Sequence, residues 1–132
     1  MRIPTLMFAS LLLAIGCASA SGPSEVPLNE PFEMAPGDAV EADGLTVRFE
    51  AVTQDSRCPI DAVCVWQGDA TVVLSLTTAA DPAASRELHT GVDPREARFA
   101  SYSVTLVSVA PAPRSTVKIA PEDYRATLQV TR

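Results

Sequence analysis

Leu45-Thr46-Val47-Arg48-Phe49-Glu50-Ala51-Val52 sets Leu45, Val47, Phe49 and Ala51 on one side of the chain and Thr46, Arg48 and Glu50 on the other. A period of two is the repeat of a strand with one buried face. The rhythm recurs in 70–77, where Ala70, Val72, Leu74 and Leu76 face inward, and in 124–130, where Tyr124, Ala126, Leu128 and Val130 oppose Arg125, Thr127 and Gln129. Residues 102–109 are apolar on both faces in their second half, as a central strand is. Shorter strands are expected at 31–34, 86–89 and 117–119. No window shows the three-and-four apolar spacing of a long helix. Turn chemistry separates the strands at Pro36-Gly37-Asp38, Asp43-Gly44, Gly68-Asp69, Asp81-Pro82, Gly91 to Pro94 and Pro111-Ala112-Pro113. Six to eight strands so spaced predict an all-β domain, an antiparallel sandwich or alternatively a small barrel.

The chain begins with Arg2, an apolar run over 6–15 broken only by Ser10, and then small residues, the layout of a secretory signal peptide ending at about Ala20. Ten residues are too few to span a bilayer, which takes roughly 20. Two processing sites compete. Leu13-Ala14-Ile15-Gly16-Cys17 resembles a bacterial lipobox, which would leave Cys17 as an acylated N-terminus, and Ala18-Ser19-Ala20 fits an ordinary A-x-A site. The lipobox reading makes the protein lipid-anchored in the bacterial envelope, at the periplasmic face of the outer membrane. The other makes it soluble in the periplasm or secreted. Residues 21–31, with Gly22, Pro23, Pro27 and Pro31, read as a flexible tether, and 32–132 as a single β domain.

The full chain carries a formal charge of −6, and without Arg2 it carries −7. Nine of its ten basic residues are Arg, scattered along the sequence, which excludes a phosphate-tracking surface and therefore nucleic acid. No small-molecule ligand or cofactor loop is evident. The expected partners are the membrane, through the N-terminal lipid, and an envelope protein.

The most specific stretch is Asp55-Ser56-Arg57-Cys58-Pro59 followed by Cys64-Val65-Trp66-Gln67-Gly68. In an oxidising compartment, two cysteines with five residues between them are read as a disulfide. Closing so short a ring contributes roughly 2 to 2.5 kcal/mol by loop entropy. Two cysteines and a distant His89 fall short of a zinc set. The acids Asp38, Glu41 and Asp43 lie in a Gly-bounded turn but lack the spacing of a calcium loop. No metal site is assigned.

This pattern resembles that of uncharacterised bacterial exported proteins and lipoproteins that share DSRCP, a short gap, and CVWxG. The similarity extends over most of 32–130, through an apolar strand before Asp55, a strand with Tyr then Leu before a Pro-rich turn, and a closing Asp-Tyr strand. It implies fold and export, and no chemistry.

Within the motif, Asp55 and Ser56 are expected to cap loop amides, and Gly68 to supply a positive backbone angle or a close approach. Arg57 either pairs with Asp55, Asp61 or Asp69, or projects from the rigid ring as a recognition residue. Trp66 is expected to pack on the disulfide and cover one end of the sandwich. His89 is the one histidine, and no serine stands in a nucleophile-elbow context, so it reads as a surface or edge-strand residue. The function expected is that of a non-catalytic envelope module with a structural or binding role. The alternatives are a proteinase-inhibitor-like or other partner-blocking protein using the loop from Ser56 to Cys64, and a hydrolase of unrecognised type.

Overall fold

The computed structural model describes residues 22–132. The expected leader with its Cys17 lies outside the described residues. Among these residues nine strands form: β1 (Ser24–Glu25), β2 (Pro31–Met34), β3 (Ala39–Ala42), β4 (Leu45–Asp55), β5 (Ala70–Thr77), β6 (Ala84–His89), β7 (Glu96–Phe99), β8 (Tyr102–Ala110) and β9 (Arg125–Thr131), with a 3-10 turn at Pro121–Asp123. They make two sheets, ordered β1-β3-β4-β5-β6 and β2-β9-β8-β7. All pairings are antiparallel except that of β1 with β3. The fold is the expected sandwich and not a closed barrel, and its eight strands of four or more residues stand at the upper end of the expected number.

Alternation fills the core between the sheets. Leu45, Val47 and Phe49 of β4, Val72, Leu74 and Leu76 of β5, and Ala126, Leu128 and Val130 of β9 are fully buried. At about 25 cal/mol per Å² of apolar surface removed from water, these side chains supply the main favourable term in folding. The Asp43-Gly44 turn joins β3 to β4 with both residues at positive φ, the geometry of a two-residue hairpin.

Three register shifts, at Phe49/Ala51 and Val52/Gln54 in β4 and at Leu106/Ser108 in β8, correct the simple alternation. β4 shifts register between Phe49 and Ala51, after which Val52 packs against the core where Ala51 was expected to carry the inward face. β8 shifts between Leu106 and Ser108, so Tyr102, Val104 and Leu106 face inward, Val107 is exposed, and Val109 is buried again. One extra residue reverses the phase of everything beyond it. This explains why the second half of β8 reads as apolar on both faces.

Other elements also depart from expectation. β3 and β7 were not anticipated, because each shows only two inward residues, Val40 with Ala42 and Ala97 with Phe99. Of the acids expected in one turn, Glu41 lies within β3, with Asp38 before the strand and Asp43 after it. Residues 117–119 form no strand, and only an isolated bridge joins Arg114 to Val117. The expected tether is docked along part of its length: Ser24 and Glu25 pair with Val40 and Glu41, and Val26 and Leu28 pack against the core.

Candidate functional site

β4 ends at Asp55 and β5 begins at Ala70, and the chain between them leaves the sandwich as a braced excursion. At its base the Ser56 N–H donates to the Asp69 carbonyl at 2.7 Å, and the Asp69 N–H donates to Ser56 Oγ at 3.1 Å. One step out, the Cys58 N–H donates to the Gln67 carbonyl at 2.8 Å. Beyond that rung the Cys58–Cys64 disulfide closes the ring, with the two Cα atoms 5.9 Å apart. Inside it the Ala62 N–H donates to the Pro59 carbonyl at 3.1 Å.

Gly68 makes the base possible. Its φ is +69°, and a Cβ there would lie 1.8 Å from the Ser56 carbonyl oxygen, so both parts of the expectation for this glycine are met. Gly91 repeats the device one layer further, where a Cβ would fall 2.1 Å from the Gly68 carbonyl oxygen. Ser56, Gly68 and Gly91 therefore stack backbone on backbone, which no side chain permits.

Arg57 points inward. Its Nε and Nη2 donate to Asp55 Oδ1 and Oδ2 at 2.8 and 2.7 Å, Nη1 donates to the Val109 carbonyl at 2.7 Å, and Nη2 also reaches the Pro111 carbonyl at 3.0 Å. Tyr124 Oη donates to Asp55 Oδ2 at 3.0 Å. The side chains of Arg57 and Asp55 are only 13% and 12% exposed. The network ties the end of β4 in one sheet to the end of β8 and the start of β9 in the other. Burial pushes the Asp55 carboxyl up, but the hydrogen bonds of Arg57 and Tyr124, with the guanidinium charge, outweigh it and hold the group below the usual carboxylate range. The Asp55 hydrogen bond holds the Arg57 guanidinium above its ordinary value. Burial, followed by the Asp55 hydrogen bond, raises the Tyr124 hydroxyl.

The outer side of the excursion leans on the β8–β9 connection. The Ile60 N–H donates to the Pro113 carbonyl at 3.0 Å, and Asp61 Oδ1 accepts from the Ser115 N–H and Oγ at 2.9 and 3.0 Å.

Trp66 does not cover the sandwich. It is 82% exposed, and Val63 and Val65 beside it are 104% and 94% exposed, with Ile60 also in solvent. The expected burial fails because the backbone rungs at Ser56 and Cys58 hold the ring away from the sheets. Next to the base of the excursion, Ala70 and Tyr124 are already buried. The apolar surface of Ile60, Val63 and Val65 gave no sequence signal of its own, since valines around a cysteine also suit a buried strand.

His89 ends β6, an edge strand, as expected. Its Nδ1 meets Asp69 Oδ2 at 2.6 Å and Thr71 Oγ1 at 3.3 Å, and Asp69 Oδ1 accepts from the Gly91 N–H at 2.8 Å. Burial pushes Asp69 up, but the Gly91 N–H and His89 outweigh it and hold the carboxyl below its usual range. Ser56 Oγ bonds to the backbone of Asp69 and not to the imidazole, so these three residues make a loop clamp rather than a nucleophile relay. Asp38 caps the Ala35 N–H at 2.8 Å, and Asp43 pairs with Arg132 at 2.7 Å, which puts these acids to separate structural uses.

No family model, curated protein or solved structure matches the chain.

Proposed function

We propose that this protein is a non-catalytic envelope module, anchored by lipid at Cys17, that binds through the disulfide-braced excursion between β4 and β5. The observation that carries the reading is the solvent-facing Val63, Val65 and Trp66 on a loop whose backbone is held by the disulfide, two cross-rungs and the β8–β9 connection. Exposed apolar clusters on an otherwise polar surface mark interaction sites. A loop already rigid loses little conformational entropy on binding, so its apolar contacts convert efficiently into affinity. Arg57 serves the loop from below: turned inward on Asp55, it positions the ridge and is not itself presented to a partner. This favours general binding over a blocking role that would use Arg57 as the inserted residue.

The test is photo-crosslinking in the native envelope, with a photoreactive side chain at Val65 and, as a control, at Glu87 on β6. Adducts are expected from position 65 and not from position 87. If neither position yields an adduct above background, the loop is not a binding surface. Replacing Cys17 with Ser tests the anchor and is expected to move the protein from the detergent to the aqueous fraction. Wild-type protein that is already soluble and begins at Ser21 would refute the lipid.

A further inference from the structure

We infer that the occupant of the apolar ridge is the lipid bilayer itself: Val63, Val65 and Trp66 dip into the membrane interface as a second anchor beside the N-terminal lipid. The inference rests on the proposed reading of the loop as the binding surface and names what it binds.

The direction of the chain supports it. β4 runs from Leu45 at one end of the sandwich to Asp55 at the other, where the excursion begins. β3 runs opposite to β4, with Val40 beside Val47, and β1 runs parallel to β3, with Ser24 beside Val40. Traced backward from Ser24, the chain therefore heads toward the end that bears the excursion. Four residues lie between Cys17 and the first described residue, Gly22, a stretch of five steps that spans at most about 18 Å when extended. The six steps of β4 from Phe49 to Asp55 cover about 20 Å. The length of chain up to Cys17 is thus comparable with the distance to the base of the excursion, at the end of the sandwich from which the ridge projects.

The chemistry of the ridge agrees. Tryptophan favours the headgroup region, where its ring is half apolar and its N–H stays wet. Val63 and Val65 are essentially fully exposed, and a fluid interface takes up such side chains without a matching pocket. The connection that braces the excursion adds exposed Val117 together with exposed Arg114 and Lys118, cations suited to lipid phosphates. Because the first anchor holds the ridge close to the membrane, weak intrinsic affinity suffices: the second contact is intramolecular.

Trp66 is the one tryptophan in the chain, so its fluorescence reports the loop alone. The processed wild-type protein is reconstituted with vesicles of phosphatidylethanolamine containing a minor fraction of phosphatidylglycerol. Trp66 emission is expected to shift to the blue and to be quenched by brominated acyl chains. Val63→Asp and Val65→Asp, examined separately, should each lose most of that quenching while keeping the wild-type far-UV circular dichroism. Solvent-like emission with no bromolipid quenching overturns the inference. Crosslinks from position 65 to an envelope protein would then leave the binding reading intact with a protein occupant. A blue shift that grows with protein concentration in the absence of lipid also overturns it, in favour of a second copy. If the protein proves to lack the acyl chain, vesicles added to it still decide whether the ridge enters a bilayer, so the two failures are separable.

Discussion

Arg57 reaches back two residues to clasp Asp55, its Nε and Nη2 donating to the two carboxylate oxygens at 2.8 and 2.7 Å, while the rest of its guanidinium takes up the Val109 and Pro111 carbonyls. Truncating it strands a largely buried carboxylate with Tyr124 as its remaining side-chain donor. Arg57→Ala should cost about 2 to 4 kcal/mol, as the removal of one partner from a buried charged pair does. Arg57→Lys keeps the charge but not the planar fork and should recover less than half of that loss. Urea denaturation of the three proteins checks both values. A wild-type midpoint for Arg57→Ala would show the clasp to be energetically idle.

Acid should destabilise the protein through this site and the clamp at its base. Asp55 and Asp69 are both held below the ordinary carboxylate value, despite burial, by the hydrogen bonds described above and, for Asp55, by the Arg57 guanidinium. A carboxyl whose folded pKa is depressed contributes stability that is fully present above its unfolded pKa and is lost as pH falls through its folded pKa. Stability should therefore be level from neutrality to about pH 5 and decline below about pH 4. Asp55→Asn, though less stable at neutral pH, should show a shallower decline. Denaturation midpoints across that range decide it, and equal declines in the two proteins would remove Asp55 from the account.

Trp66→Ala should leave stability within about 0.5 kcal/mol of wild type, since surface substitutions away from special features rarely do more. A buried tryptophan would cost about 3 to 5 kcal/mol. The same denaturation experiment separates the two, and a loss of the larger size would mean that Trp66 folds back onto the sandwich.

The glycines Gly68 and Gly37 offer a paired comparison. Both have positive φ, but a Cβ at Gly68 meets the Ser56 carbonyl oxygen at 1.8 Å, whereas a Cβ at Gly37 meets nothing within 4 Å. Gly37→Ala should cost only the backbone strain, about 1 kcal/mol. Gly68→Ala should cost about 3 kcal/mol or more, because the two arms of the excursion must separate as well. Similar losses for the two would indicate that the close approach at the loop base is not structural.

The strands of the sandwich were legible wherever burial follows from neighbours along the chain. Ala70, Val72, Leu74 and Leu76 alternate in the sequence and are all buried, because pleating alone sends successive side chains to opposite faces. Pairing of Cys58 with Cys64 was legible for a similar reason: five intervening residues bring the thiols together whatever surrounds them. The phase shifts in β4 and β8 were not legible, since a bulge is decided by two strands in register and leaves no mark in either one alone. The motif divides along the same line. Trp66 was expected against the body of the protein, and Arg57 either there or projecting from the ring, yet only Arg57 turns inward. Carbonyls at Val109 and Pro111, more than fifty residues away, accept its guanidinium. For Trp66 the cross-rungs at Ser56 and Cys58 leave no surface to cover. Residue type and spacing thus determined strands, turns and staple. Which side chains of the loop turn inward and which meet the solvent was decided by the backbone groups that distant segments bring to its base.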